Sequence, residues 1–217
     1  MSELTLYTYF RSSSAYRVRI GLALKGLSFE PRYIHLLRGG GENWRADYLA
    51  LNPQGLVPTL LHGQRILIQS LAILEYLEEA WPDPPLLPAD ARDRAYVRSL
   101  AGIIACDIQP LNNLRVLDYL KQTLDMDKAQ TEAWYRHWIA EGLAAVETLL
   151  NKHAQAGRCC FADMPTIADI CLVPQFYNAI RYKCDLAAYP TAEKIYENCS
   201  ALAAFKTAAP ENQGDME

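Results

Sequence analysis

The chain has 217 residues, 51% of them hydrophobic and 21% charged, with a formal net charge of −4. This is the balance of an ordinary globular protein, with room for one large domain or two small ones. Net acidity argues against nucleic acid as a partner, because phosphate binding calls for a basic surface. No apolar run approaches the ~20 residues that span a bilayer, and the first ten residues lack the basic-then-apolar order of a signal peptide. A cytoplasmic protein with no membrane partner is therefore expected.

Residues 4–9 are rich in β-formers and predict a first strand. Residues 14–25 predict a helix with Ala15, Val18 and Leu22 on one face, stopped by Gly26. Residues 29–35 predict a second strand. Gly39, Gly40 and Gly41 mark a mobile loop, and residues 44–51 a short helix closed by Asn52-Pro53. Residues 57–61 and 65–68 flank His62-Gly63-Gln64 as a hairpin. Residues 70–80 then form a helix with Leu71, Leu74, Leu77 and Glu78 around the apolar seam. The order β-α-β-α-β-β-α is an α/β layered domain, assigned to residues 1–81.

Pro82, Pro84, Pro85 and Pro88 prevent that helix from continuing, so residues 82–88 read as a linker. Residues 89–217 read as an all-helical domain. Residues 89–120 form one long helical segment bent near Pro110. Residues 128–153 carry Trp134, Trp138, Leu143, Val146 and Leu150 on a stripe, and residues 166–183 open on a capping box of Thr166 and Asp169. Residues 190–205 form a last helix with proline in its first turn, and the polar residues after Thr207 are expected to fray. The cysteines Cys106, Cys159, Cys160, Cys171, Cys184 and Cys199 form no C-x-x-C pair and have no histidine at zinc-finger spacing. Reduced, mostly buried thiols and no metal site are the expectation.

Three segments carry chemistry. Ser12, Ser13 and Ser14 lie at a strand-to-helix junction, where free amides and the helix dipole favour an anion and a hydroxyl can donate to a thiolate. A serine there also serves as a plain N-cap. Val57-Pro58 sits where a turn enters a strand, and a cis bond there would turn the Val57 amide and carbonyl toward an extended peptide. Gln69-Ser70 begins the next helix, as a cap or as a carboxylate site.

In this order and spacing the three pieces resemble the thioredoxin-like domain of cytosolic glutathione transferases. More narrowly, Ser12-Ser13-Ser14-Ala15-Tyr16-Arg17-Val18-Arg19 resembles the zeta-class signature Ser-Ser-Cys-x-aromatic-Arg-Val-Arg. Gln109-Pro110-Leu111-Asn112-Asn113-Leu114 is similar to the zeta Gln-Pro-Leu-x-Asn-Leu segment, and residues 166–186 to the stretch around Ala-Asp-x-Cys-Leu-Val-Pro-Gln. The resemblance covers residues 4–205. It implies a helical-bundle second domain, a homodimer, and glutathione as cofactor.

By the same resemblance, Ser12, with Ser13 and Ser14, stabilises the thiolate; Ser14 stands where the signature has cysteine. Ala15, Tyr16, Arg17, Asn43, Val57, Gln69 and Ser70 contact glutathione from the first domain, and Gln109, Asn113, Leu114 and Arg115 from the second. Arg181 matches the zeta arginine associated with the distal carboxylate of a small dianionic dienone. Arg11, just before the serines, is the other basic group placed to meet a carboxylate, since a guanidinium fork matches that geometry. A surface ion pair is the alternative for both. The implied reaction is glutathione-dependent cis–trans isomerisation of maleylacetoacetate to fumarylacetoacetate, in aromatic amino-acid catabolism, with transferase activity at its side. Maleylpyruvate isomerisation, conjugation of glutathione to general electrophiles, and a non-catalytic binding module are the alternatives. A thioredoxin-type reductase is disfavoured, since serines occupy the place of its C-x-x-C.

Overall fold

The computed structural model describes residues 3–153 and 156–217. The chain divides into two compact units: one runs to Leu86 and takes in Leu202–Glu217, and the other is Leu87–Ala201. The sequence boundary had given residues 202–217 to the helical part. Their fastening to the first unit, described below, is the physical reason for the difference.

The first unit holds β1 (Leu4–Thr8), α1 (Ser13–Leu24), β2 (Glu30–Tyr33), α2 (Ala46–Leu51), β3 (Thr59–His62), β4 (Arg65–Ile68) and α3 (Ser70–Ala80). The sheet order is β2-β1-β3-β4. β1 runs parallel to β2 and antiparallel to β3, pairing Leu6 with Leu60, and β4 completes the hairpin. This is the layered α/β unit expected from the pattern. Leu4 and Leu6 point inward at the period of a strand, onto Val18, Leu22, Leu60, Ile73 and Leu77. Gly21 faces Leu74 so closely that a methyl group would overlap its Cδ2. α1 is buried from Ala15 to Leu22, Arg17 and Arg19 included. The segment after α3 is tied back by charge: Lys25 Nζ lies 2.9 Å from Glu78 Oε2 and donates to the Pro84 carbonyl, while the Leu86 amide donates to the same Glu78 oxygen.

The 16 residues from Leu202 do not fray. α9 (Ala203–Ala208) packs on α1, with Phe205 fully buried. The Tyr16 hydroxyl donates to the Phe205 carbonyl and Arg19 Nε to the Ala208 carbonyl at 2.9 Å. Gln213 Nε2 donates to the Ala209 and Thr207 carbonyls, and Asp215 Oδ2 accepts the Phe10 amide at 3.0 Å.

The second unit holds α4 (Ala91–Gly102), α5 (Leu114–Gln122), α6 (Lys128–Lys152), α7 (Ile167–Arg181) and α8 (Pro190–Ser200). The single long segment expected over 89–120 is instead interrupted. α4 widens into a π-helical stretch at Ile103–Ile108, and α5 starts afresh from the Asn113 cap. Pro110 lacks the amide that would continue the helix, and the Asn113 side chain captures the Arg115 amide. The deepest face of α6 runs through Thr131, Tyr135, Ile139, Leu143, Val146 and Leu150, so Trp134 and Trp138 flank it and are only partly buried. The expected capping box forms: Asp169 Oδ2 accepts the Thr166 amide and hydroxyl, both at 2.8 Å, and α7 behind it is buried on nearly all sides. The predicted last helix breaks in two at Ala201-Leu202. The Glu147 carboxylate of α6 serves as the cap of α8, accepting the amides of Thr191 and Ala192.

Candidate functional site

β1 ends at Thr8, and a four-residue turn closed by the Ser12 amide on the Tyr9 carbonyl at 3.0 Å leads into α1. Ser12 is the N-cap: its backbone is extended (φ −73°, ψ 115°) and its Oγ accepts the Ala15 amide at 3.2 Å. That bond uses a lone pair and leaves the hydroxyl proton to donate elsewhere. Ser12, Ser13 and Ser14 are all partly exposed, whereas Ala15 and Tyr16 behind them are buried. The accessible end of the helix is therefore its positive end, lined by hydroxyls.

Arg17 is 1% exposed. Its Nη1 donates to Ser70 Oγ at 3.2 Å, so the structure brings together the serine signature and the start of α3. This bond places a guanidinium charge beside the N-terminus of α3. Gln69, the cap of α3, has φ +69° and ψ 116°, a backbone state unusual for a residue with a side chain. Strain of this kind gathers at ligand clamps. Gln69 is exposed, and its Nε2 donates to Gln54 Oε1 at 2.7 Å.

The loop before β3 contains the cis Val57–Pro58 bond. Its approach is pinned by three side chains. The Tyr48 hydroxyl and Asn52 Nδ2 both donate to the Leu56 carbonyl, at 2.6 and 2.7 Å, and Asn43 Nδ2 donates to the Gly55 carbonyl at 2.8 Å. Burial pushes the Tyr48 hydroxyl pKa up, so it stays a donor. Among the described residues none bonds the Val57 amide or carbonyl, which leaves a short backbone edge available to a peptide. Asn43 is itself 6% exposed, so it supports this loop from behind.

Gln109, Asn113, Leu114, Arg115 and Arg181 belong to the second unit. Gln109 ends the π-helical stretch, Asn113 caps α5, Leu114 is partly buried and Arg115 exposed. Arg181, the exposed last residue of α7, lies 4.9 Å over the Tyr182 ring, which stacks on Tyr135 at 3.6 Å. Burial pushes the Tyr135 hydroxyl pKa up while the charge of Arg181 works against that. Arg11 is exposed, 4.9 Å over the Phe10 ring.

Cys159, Asp169 and Cys199 also converge, with Cys199 Sγ 3.8 Å from Cys159 Sγ and 3.7 Å from Asp169 Oδ1. Both Asp169 oxygens already serve backbone: Oδ2 at Thr166 and Oδ1 at the Cys160 amide. Hydrogen bonding to Cys159 and burial push the Cys199 thiol pKa up, so the cluster reads as a capping network.

Sequence reasoning missed Arg19, Tyr48, Asn52, Gln54 and Asp215 as supports of the site. Arg19 stood in the serine signature and Asn52 and Gln54 in the Asn52-Pro53-Gln54-Gly55 run, and each could have been singled out there. Nothing in the local sequence marks Asp215.

Residues 6–85 match the family model of the glutathione S-transferase N-terminal domain. Over 213 residues, 98% of this chain and 98% of the relative, the sequence is 47% identical to maleylacetoacetate isomerase of Pseudomonas aeruginosa. A holo structure of a bacterial zeta-class maleylpyruvate isomerase matches with a TM-score of 0.96 and 46% identity, covering 98% of this chain and 100% of the other. Maleylacetoacetate isomerase of Anaeromyxobacter dehalogenans, solved with GSH bound in its active site, matches with a TM-score of 0.87 and 45% identity, covering 100% of both chains. With this much identity along its whole length, and with the serine-capped α1 and the Gln69-Ser70 start of α3 in one unit, the chain belongs to the zeta class of the glutathione transferase family.

Proposed function

We propose that this protein is a glutathione-dependent cis–trans isomerase that converts maleylacetoacetate to fumarylacetoacetate. The observation that carries the reading is the Ser12 hydroxyl, which caps α1 through a lone pair and keeps its proton for an anion at the helix end. Three features of the first unit support a place for the tripeptide. The Val57 backbone edge, the strained and exposed Gln69, and Ser70 backed by the Arg17 charge offer hydrogen bonds and a cation to an extended acidic peptide. Bound glutathione supplies a thiolate that adds reversibly to the conjugated alkene, so that the former double bond can rotate before the sulfur leaves.

The chain's residues do the rest. Ser12, with Ser13 and Ser14 beside it, holds the sulfur ionised near neutral pH, where a free thiol of pKa about 8.5 would be mostly protonated. Ser70 and the first amides of α3 take the γ-glutamyl carboxylate, and Val57 pairs with the peptide backbone. By resemblance to the family, Gln109, Asn113, Leu114 and Arg115 of the second unit are proposed as further cofactor contacts. Arg181 and Arg11 bind the two carboxylates of the substrate, and their charges also favour negative charge developing on the ketone oxygen. A cytoplasmic homodimer is part of the same proposal, by resemblance to the family; among the described residues no helix is long and apolar enough to cross a membrane.

The test is the glutathione-dependent loss of maleylacetoacetate absorbance in wild type, Ser12→Ala and Arg181→Ala. Turnover that persists after the endogenous glutathione has been removed refutes the reading. The match to maleylpyruvate isomerase favours a second substrate of the same chemistry. Assaying both diacids side by side, with chlorodinitrobenzene for general conjugation, ranks the three.

A further inference from the structure

The turn that delivers Ser12 is gripped from two sides by groups far away in sequence. From one side the buried Arg19 donates to Thr8 Oγ1 at 2.9 Å, to the Tyr9 carbonyl at 3.3 Å and to the Phe10 carbonyl at 3.1 Å. From the other, Asp215 Oδ2 accepts the Phe10 amide at 3.0 Å across 205 residues of chain. The Tyr9 carbonyl held by Arg19 is the one that accepts the Ser12 amide. The peptide units on both sides of Phe10 are thus fixed, two residues before the hydroxyl assigned to the thiolate.

Asp215 does not hang from a loose end. The segment carrying it is anchored upstream by Gln213 on the end of α9 and downstream by Glu217, which pairs with Arg38 and lies 3.4 Å from His35 Nε2. Between them Gly214 passes so near the Tyr33 hydroxyl that a side chain there would push Tyr33 aside. The Asp215 carboxylate also faces Arg19 electrostatically, and its charge opposes the loss of the guanidinium proton that burial favours.

We propose that Asp215 is a positioning residue for the isomerase: by holding the Phe10 amide it sets the Tyr9–Ser12 turn, and so aims the Ser12 hydroxyl at the glutathione sulfur. The proposal rests on the assignment of the thiolate to Ser12. A backbone hydrogen bond whose loss lets this turn drift weakens a directional donor long before it unfolds the domain. The effect belongs on the thiol and on glutathione binding.

The experiment titrates the thiol of enzyme-bound glutathione by its ultraviolet thiolate absorbance, with KM for glutathione, kcat and melting temperature measured in parallel. Asp215→Ala is expected to raise the bound-thiol pKa by about half a unit or more and KM for glutathione roughly threefold. Asp215→Asn keeps an oxygen for the Phe10 amide and should titrate like wild type. Gln213→Ala, which slackens the strap but spares both partners, should shift the thiol in the direction of Asp215→Ala, and it carries the test if that variant does not fold. An unchanged thiol pKa in Asp215→Ala, or in Gln213→Ala where that variant stands in, overturns the proposal. So does an Asn variant as perturbed as the Ala variant, because charge would then be the cause. Ser12→Ala in the same series separates the two claims. If it leaves the thiol pKa in place, the thiolate assignment itself fails; if it alone raises the pKa, only the role of Asp215 fails.

Discussion

Replacing Ser12 removes two separable things. One is the lone pair that caps α1 through the Ala15 amide at 3.2 Å, a contribution of about 1 kcal/mol. The other is the hydroxyl proton offered to a thiolate; a hydrogen bond to a charged group is worth about 1.5–3 kcal/mol. At about 1.36 kcal/mol per pKa unit, losing it raises the bound thiol pKa by about 1–2 units. Alanine loses both contributions, whereas glycine at an N-cap costs only a few tenths of a kcal/mol and still has no hydroxyl. Ser12→Ala and Ser12→Gly should therefore share one elevated thiol pKa while the glycine variant melts higher than the alanine variant. Ultraviolet titration of the binary complex with glutathione, together with thermal unfolding, reads both numbers. If both variants titrate with wild type and only the melting temperature moves, Ser12 is a cap and nothing more.

Lys25→Met strands the Glu78 carboxylate, which also takes the Leu86 amide, and should cost about 3–5 kcal/mol in denaturant unfolding; Lys25→Met with Glu78→Leu should recover part of that. Gly21→Ala drives a methyl into Leu74 between α1 and α3, for an expected loss of about 1–3 kcal/mol in the same measurement. Asn43→Ala frees the Gly55 carbonyl, 6% exposed though the asparagine is, and should cost about 1–3 kcal/mol. It should also raise KM for glutathione more than it lowers kcat, because the loop it supports presents Val57.

The first unit was legible because its signals are local. Leu4 and Leu6 alternate as a strand must, Gly26 stops α1, and His62-Gly63-Gln64 turns the hairpin. The serine run and Gln69-Ser70 were legible for the same reason: each is a short segment at the start of a helix. What escaped was the support. Arg17 stood in the signature as a cofactor contact, and its burial and its bond to Ser70 are tertiary features that no spacing encodes. The Asn43 side chain resembles a family contact in sequence, while its bond to Gly55 is set by a tertiary approach that no spacing encodes. The tail after Thr207 looked polar and loose because its partners, Phe10, Tyr33 and Arg38, lie at the opposite end of the chain. The stripe of α6 was displaced by the same cause. Trp134 and Trp138 are the larger apolar groups, yet Tyr135 and Ile139 face the neighbouring helices.

Two buried arginines on one helix look like an expensive choice, since an unpaired guanidinium away from water is strongly unfavourable. Their spacing explains how the helix tolerates them. Arg17 and Arg19 are two residues apart, roughly 200° around the helix, and so they leave α1 on nearly opposite sides. Arg17 goes to Ser70 at the head of α3, and Arg19 goes to Thr8, Tyr9, Phe10 and Ala208. Arg19 meets three carbonyls, of a turn and of a helix end, that lie outside any ladder, and it shares the Tyr9 carbonyl with the Ser12 amide. Burial still shifts Arg19 toward the neutral form, to a pKa of about 10, and the carboxylate of Asp215 opposes that shift. A lysine at this position would bring one compact charge where a planar fork with five donors reaches four oxygens. The serines at the front of α1 are therefore fixed by side chains behind them. A run of three small, flexible residues is kept in one place because the helix that carries them is bolted to α3 on one side and to the end of the chain on the other.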